Sequence, residues 1–258
     1  MTSAWEESAI RAALADAAIG CFPGGEPQGT LAAACPVCES RDISLRQNNL
    51  SHCPRCRHIF QSDLRVSAVY DADYAHQYDR RPHHQMSALR WAFIQRWLRL
   101  PAGSHVLDVG YGNGSFLKHA RRHGMRVHGI DVHGEDFGVP TVDVDTTIVF
   151  DLICFFDSLE HFPQFGALSG LRAANAIVSL PAVPYFLLDS PGRWRHYKPG
   201  EHLHYFSPES LDALMFKWGL PRKLVEGAPE DELRGKLMIG GRVHDNIHTA
   251  IYAEGHRA

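Results

Sequence analysis

The sequence predicts an α/β protein, with a mostly parallel sheet covered by helices on both faces behind a small metal-stapled module. Three observations carry this. After Pro101, short apolar runs alternate with helix-length segments. A glycine-rich turn lies between a strand pattern and a helix pattern, and two CxxC pairs stand upstream.

Composition bounds the rest. The 258 residues are 45% hydrophobic, enough for one large domain and a small appendage. With 26 Lys and Arg against 29 Asp and Glu, bulk charge selects neither nucleic acid nor membrane, so any polyanion contact must be local. No stretch approaches the roughly 20 apolar residues of a membrane span, and residues 1–20 carry Glu6, Glu7, Arg11 and Asp16, unlike a signal peptide. A cytoplasmic location follows by elimination, and in a reducing compartment the paired cysteines read as metal ligands.

In chain order, residues 3–19 suit an Ala-rich amphipathic helix, and Phe22 to Thr30 a linker, so residues 1–30 form a leading segment. Residues 31–63 form the cysteine module. Cys35-Pro-Val-Cys38 and Cys53-Pro-Arg-Cys56 lie fourteen residues apart, the spacing of two knuckles around one tetrahedral zinc. The segment has too few apolar side chains to fold by burial alone, and metal binding supplies the missing free energy. His52 and His58 are alternative ligands, although four thiolates already close a structural site. Cys21 and Cys154 read as a linker thiol and a core residue.

Residues 64–85 form a connector rich in Tyr, His and Arg, and residues 86–258 the large domain. Ser87 to Leu100 has helical apolar spacing through Leu89, Phe93 and Trp97, with Ile94 and Leu98 beside them. Strands are expected at 105–110, 126–132, 150–156 and 176–180. Ser207-Pro-Glu-Ser210 reads as a helix N-cap, followed by a helix through Leu211, Leu214 and Met215. Asn246 to Gly255 alternates like a last strand, expected antiparallel.

VLDVGYGNG places Asp108 at a strand end, then Gly110, Gly112 and Gly114, then a helix whose positive N-terminus faces the turn. RVHGID follows and ends in Asp131, about twenty residues on, suited to both ribose hydroxyls of a nucleoside. Dinucleotide sites space their glycines GxGxxG, whereas here the last two are only two apart.

This loop resembles that of class I S-adenosylmethionine-dependent methyltransferases. CPVCES, CPRCRHIFQSD, VYDADY, the glycine loop, FDLICFFDSLEHF, IVSLP and GEHLHYFSPESLDALMFKWGL, in that order, resemble enzymes of this class with an N-terminal zinc ribbon, related to sugar C-methyltransferases and ubiquinone-type O-methyltransferases. The resemblance implies a Rossmann-like, seven-stranded, mostly parallel sheet with the last strand antiparallel. It implies S-adenosylmethionine as cofactor on Asp108, Gly110, Gly112, Gly114 and Asp131, structural Zn2+ on Cys35, Cys38, Cys53 and Cys56, and a strand exit at Asp157–His161 near sulfonium and acceptor. One departure stands out: only twenty positions separate Asp131 from Asp151, half of what the family spends on its third strand. Asp143 or Asp145 is the candidate adenine-side acid.

On the acceptor side the resemblance gathers Asp157, Glu160 and His161 with His196, Tyr197, His202, His204 and Tyr205. An acceptor atom that bears a proton needs a base with a pKa near working pH. His161 is the first candidate, His202 or His204 the second, and Glu160 orients His161 or contacts the cofactor. A metal on these residues is the alternative, but HxH and EH pairs alone do not fix a coordination sphere. Arg193 to Lys198 interleaves cations with aromatics, either to grip a diphosphate or stack a base, or as a solvated loop anchored by Trp194.

The expected activity is methyl transfer to oxygen or carbon of a small acceptor, such as a phosphate-bearing sugar nucleotide. The alternatives are a DNA- or RNA-modifying enzyme that uses the ribbon for binding, and a non-catalytic S-adenosylmethionine-binding protein. A DPPY loop for exocyclic amines and a Pro-Cys nucleophile for cytosine are both absent from the sequence.

Overall fold

A computed structural model describes residues 33–66, 83–131, 140–184 and 186–255. The helix expected at 3–19, the linker, Cys21, most of the connector and VYDADY lie outside them. In chain order the strands and helices are β1 (Ser44–Leu45), β2 (Leu50–His52), β3 (Ile59–Gln61), α1 (His83–Leu98), β4 (His105–Val109), α2 (Ser115–Arg122) and β5 (Arg126–Ile130). There follow β6 (Val149–Phe150), β7 (Leu152–Phe156), β8 (Arg172–Ala173), β9 (Asn175–Pro181), β10 (His204–Tyr205), α3 (Pro208–Lys217) and β11 (Arg222–Gly227). The last are α4 (Asp231–Arg234), β12 (Leu237–Ile239), β13 (Arg242–His244) and β14 (Ile247–Ala253). No helix among the described residues is long and apolar enough to cross a membrane.

Two compact units emerge. Of the described residues, the first holds 33–66, 160–168 and 183–213, and the second 83–159, 169–182 and 214–255.

The first unit carries a four-stranded sheet in the order β1-β2-β3-β10, antiparallel throughout. Chain far from the cysteines in sequence thus completes the cysteine module's sheet, with Tyr205 paired to Ile59 and His204 to Phe60. Leu50, Phe60, Leu203, Tyr205 and Phe206 are fully buried, which supplies apolar cover that residues 35–63 lack alone.

The second unit is built on a six-stranded sheet in the order β11-β14-β9-β7-β4-β5. β5, β4, β7 and β9 pair in parallel, and β14 runs antiparallel to both β9 and β11, as expected of the last strand. β7, LICFF, is buried at every residue, which is why it reads as an unbroken apolar run. Among the described residues the sheet has six strands rather than seven. Beyond β5, among the described residues, the expected third strand shows one parallel bridge, Gly129–Thr141, in the shortened segment before Asp151.

The helix expected at 87–100 spans His83–Leu98 and buries Ser87, Trp91 and Ile94. Trp97, expected on the apolar face, is 42% exposed. The buried stripe follows Ser87, Trp91 and Ile94 at spacings of four and three, so a serine marks the face that Leu89 and Phe93 suggested. Trp91 and Ile94 join Val106, Tyr111, Phe116, Leu117, Leu152, Phe156 and Ile177 in the core.

Candidate functional site

The glycine turn in the second unit is shaped by three left-handed residues, Gly110 at φ 80°, Gly112 at 53° and Gly114 at 68°. A methyl at Gly110 would lie 2.6 Å from Cβ of Ser158, so the turn crosses the exit of β7 at backbone contact distance. At Gly112 nothing lies within 4 Å, leaving open space beside the loop. Asp131 Oδ2 accepts from the Gly112 amide at 2.8 Å. The acid after the second strand is therefore tied to the middle of the turn. Asn113 Oδ1 accepts from the Ser115 amide at 3.0 Å and starts α2.

Asp108 is buried, and its Oδ1 has no hydrogen-bond partner. Burial pushes its pKa up to about 7, with Asp131 adding to the rise and Arg90 opposing it. Ser158 Oγ is also buried without a partner and would lie 3.3 Å from a methyl at Gly110. Two buried polar groups without partners therefore flank a loop with open space beside it. That combination fits a polar ligand better than a packed turn.

Asp157, next to Ser158, is left-handed at φ 52° although it is not glycine. Such conformers cost of order 1–3 kcal/mol and persist where surroundings over-determine them. Here the surroundings are charged. Arg234 donates to both carboxylate oxygens of Asp157, and Arg90 lies 3.5 Å away. Both arginines also bind the buried Glu230, Arg90 Nε at 2.7 Å and Arg234 Nη2 at 2.9 Å, and Arg90 sits 4.2 Å over the Phe156 ring. The two carboxylates hold the Arg234 pKa above its ordinary value against burial, which pulls it down. Asp143 and Asp145 are exposed, and the Asp143 carbonyl closes a turn with the Thr146 amide at 3.1 Å.

In the first unit the four cysteines gather as one group, with Sγ–Sγ distances of 3.6 Å for Cys35–Cys56 and 3.5 Å for Cys38–Cys53. A tetrahedron with metal–sulfur bonds of about 2.3 Å has edges of about 3.8 Å, so the sulfurs fit zinc. The hydrogen bond from Cys56 lowers the Cys35 thiol to about 5 while the Cys56 thiol itself is pushed up. His52 and His58 stand outside the group. His58 serves another contact: its Nε2 donates to His204 Nδ1 at 3.0 Å, and His204 Nε2 donates to the Phe162 carbonyl at 2.8 Å. Because a carbonyl only accepts, both tautomers are fixed. Burial lowers both imidazoles, His204 to about 3.

Glu160, His161 and His202 form a second group whose ligand atoms all lie within 4.8 Å of one another. Glu160 and His202 are buried and His161 is half-buried. His161 meets His202 edge-on at 4.8 Å between ring centres. His196 stacks toward His202 at 6.4 Å, Tyr197 donates to the Asn48 carbonyl at 2.9 Å, and the Tyr205 hydroxyl accepts from Gln61 at 2.8 Å. Trp194 is buried, while Arg193 and Arg195 are exposed.

Of the candidates, the structure brings together Asp108, Gly110, Gly112 and Asp131 in one unit, and Glu160, His161 and His202 in the other. His204 is held between His58 and Phe162. Sequence reasoning missed Ser158, Arg90, Glu230 and Arg234. Ser158 carries a usable signal, a small polar residue immediately after a buried strand, whereas Glu230 and Arg234 lie in a segment with no motif.

Residues 74–221 match a family described as a methyltransferase domain, more than half of the chain. A solved S-adenosylmethionine-dependent methyltransferase from Archaeoglobus fulgidus is similar, at 15% identity and a TM-score of 0.50, covering 71% of this chain and all of that one. Magnesium protoporphyrin IX methyltransferase from Synechocystis PCC 6803 gives 17% identity and a TM-score of 0.45, with 67% and 84% covered. An S-adenosylmethionine-dependent methyltransferase from Clostridium acetobutylicum ATCC 824 gives 13% and 0.48, with 71% and 98% covered. No curated protein sequence matches the chain. The family match over residues 74–221, with the strand order above, establishes that the chain belongs to the methyltransferase-domain family and is an S-adenosylmethionine-dependent methyltransferase of class I fold.

Proposed function

We propose that this chain binds S-adenosylmethionine on the glycine turn and transfers its methyl group to oxygen or carbon of a small, phosphate-bearing acceptor. The observation that carries the reading is the pair of buried, partnerless groups, Asp108 Oδ1 and Ser158 Oγ, beside the open space at Gly112. In this reading Asp131 takes the ribose hydroxyls, and Asp108 and Ser158 take the polar end of the cofactor. Asp143 is the candidate adenine-side acid; the parallel bridge at Gly129–Thr141, two residues before it, supports this reading. Asp157 keeps its place beside the cofactor through Arg90 and Arg234.

For a hydroxyl acceptor, the O–H proton leaves, the oxygen lone pair forms the new bond to the methyl carbon, and the C–S bond breaks with its electrons on sulfur. The products are the methylated acceptor, S-adenosylhomocysteine and a proton. Glu160, His161 and His202, gathered within the first unit, are the candidate groups for taking that proton. Zinc on the four cysteines is structural, and the thiols suit a reducing, cytoplasmic compartment.

Calorimetry with S-adenosylmethionine tests the reading. One-site binding, weakened by Asp131→Ala, is expected, and absence of binding by folded wild-type protein refutes it. Nucleic-acid binding that falls steeply with salt, in place of turnover on small acceptors, would move the acceptor class to DNA or RNA.

A further inference from the structure

Glu160, His161 and His202 present one carboxylate oxygen and two imidazole nitrogens around a common point in the first unit, and we propose that they bind a divalent transition-metal ion. The donor set is the first argument. Two histidines and one carboxylate suit Zn2+, Mn2+, Fe2+ or Co2+, and leave coordination positions open for an oxygen ligand.

Geometry is the second. The Glu160 Oε1–His161 Nε2 distance is 3.9 Å, too long for a hydrogen bond. Neighbouring ligands on bonds of about 2.1 Å are about 3.0 to 3.4 Å apart, so closing the site, whose ligand atoms lie within 4.8 Å of one another, needs a movement of up to about 1.5 Å. The chain is braced where that closure occurs. The Leu203 amide donates to the Glu160 carbonyl at 2.9 Å, and the Gln61 amide to the Leu203 carbonyl at 2.8 Å. One backbone hydrogen bond thus ties the Glu160–His161 turn to the segment that carries His202.

The surroundings are the third. Glu160 is 1% exposed and His202 5%, and a carboxylate buried this deeply is stable when paired or coordinated. Glu201 Oε1 lies 3.7 Å from His202 Nε2 while bonded to Lys198 at 2.7 Å. That is beyond hydrogen-bond length, and with the site closed Glu201 would serve as the outer carboxylate that orients His202 through its other nitrogen. With an ion bound, His161 and His202 are ligands and accept no proton; the ion itself favours loss of the proton from a hydroxyl that binds it. The site stands on this geometry alone, and only its use in catalysis rests on the transferase reading.

The test takes full-length protein with one equivalent of zinc in its four-cysteine site and titrates it with Mn2+ by calorimetry and Co2+ by absorbance. One further equivalent is expected, with weak cobalt d–d bands and without the intense sulfur-to-cobalt charge transfer that entry into the cysteine site would give. Glu160→Gln and His202→Ala should each weaken binding by more than about 100-fold, since outer partners alone cost 10–100-fold, the range expected for Glu201→Gln. No second equivalent in wild-type protein overturns the proposal, as does unchanged affinity in folded Glu160→Gln or His202→Ala; His161→Asn replaces either variant that fails to fold. Titrating the same preparation with S-adenosylmethionine separates the two ideas. Cofactor binding without the ion sinks only the metal site, and ion binding without cofactor sinks only the transferase reading.

Discussion

Gly129 sits in β5 opposite Asp108, and a methyl there would lie 2.4 Å from Cδ1 and 2.7 Å from Cε1 of Tyr111. Carbon atoms in contact prefer about 3.5 to 4.0 Å, so Gly129→Ala must push the ring about 1 Å away. Tyr111 is 6% exposed and belongs to the packed core, which leaves the ring little room. Overpacking of this kind costs about 1–3 kcal/mol, and at about 2–4 °C per kcal/mol the melting temperature should drop by roughly 2–12 °C. The ring lies between Gly110 and Gly112 in sequence, so its displacement moves the turn, and S-adenosylmethionine affinity should fall about tenfold for each 1.4 kcal/mol transmitted. The assay is a double-mutant cycle with Tyr111→Leu, read by thermal melts and calorimetry. Removing the ring should recover most of the Gly129→Ala penalty as a coupling energy. Gly112→Ala is the contrast: the space is open, so it pays only for its positive φ, about 1–2 kcal/mol, and shows no such coupling. Unchanged stability and affinity in Gly129→Ala, or a strictly additive cycle, refutes the reasoning.

Asp108 has a raised pKa, about 7 against 3.8 unfolded, so the stability it contributes is present below pH 4 and lost as pH rises through 7. Asp108→Asn should therefore stabilise the cofactor-free protein at pH 8 by up to about 4 kcal/mol, and equal melts at pH 8 would count against this assignment. Asp131→Ala removes the acceptor for the Gly112 amide and, on the proposed function, the contact to the ribose, and should weaken cofactor binding by about 10–100-fold in calorimetry. Arg234→Met leaves the buried Glu230 and the left-handed Asp157 sharing Arg90, and should cost about 3 kcal/mol in urea unfolding, partly restored by Glu230→Gln. Chelating the zinc, or Cys53→Ser, should release the pairing of β1 to β3, seen as new protease sites between residues 33 and 66 while the six-stranded sheet keeps its protection.

Much of the second unit was legible because its signals are local. β7 is buried on both faces and so is apolar without interruption, and the positive φ at 110, 112 and 114 demands glycine. The cysteine group was legible for the same reason, since ligand spacing is fixed within two short turns. What stayed hidden depends on distant chain. Nothing near Arg90 announces its pairing with Glu230, and periodicity pointed to Phe93, Ile94 and Leu98, which pack on the core, but also to the exposed Trp97, and not to the buried Ser87. His204 looked like a proton carrier because its partners, His58 and the Phe162 carbonyl, lie 146 and 42 residues away.

β10 gives the cysteine module its fourth strand. A short run of strands gathered beside four cysteines gains its outer neighbour from chain that follows His161 by about forty residues, with Leu203 bonded forward to Gln61 and back to Glu160. The module is thus not detachable in the way a fused tag is. Excising it removes the partners of Tyr205 and Leu203, so an amino-terminal truncation would disturb chain as distant in sequence as His202.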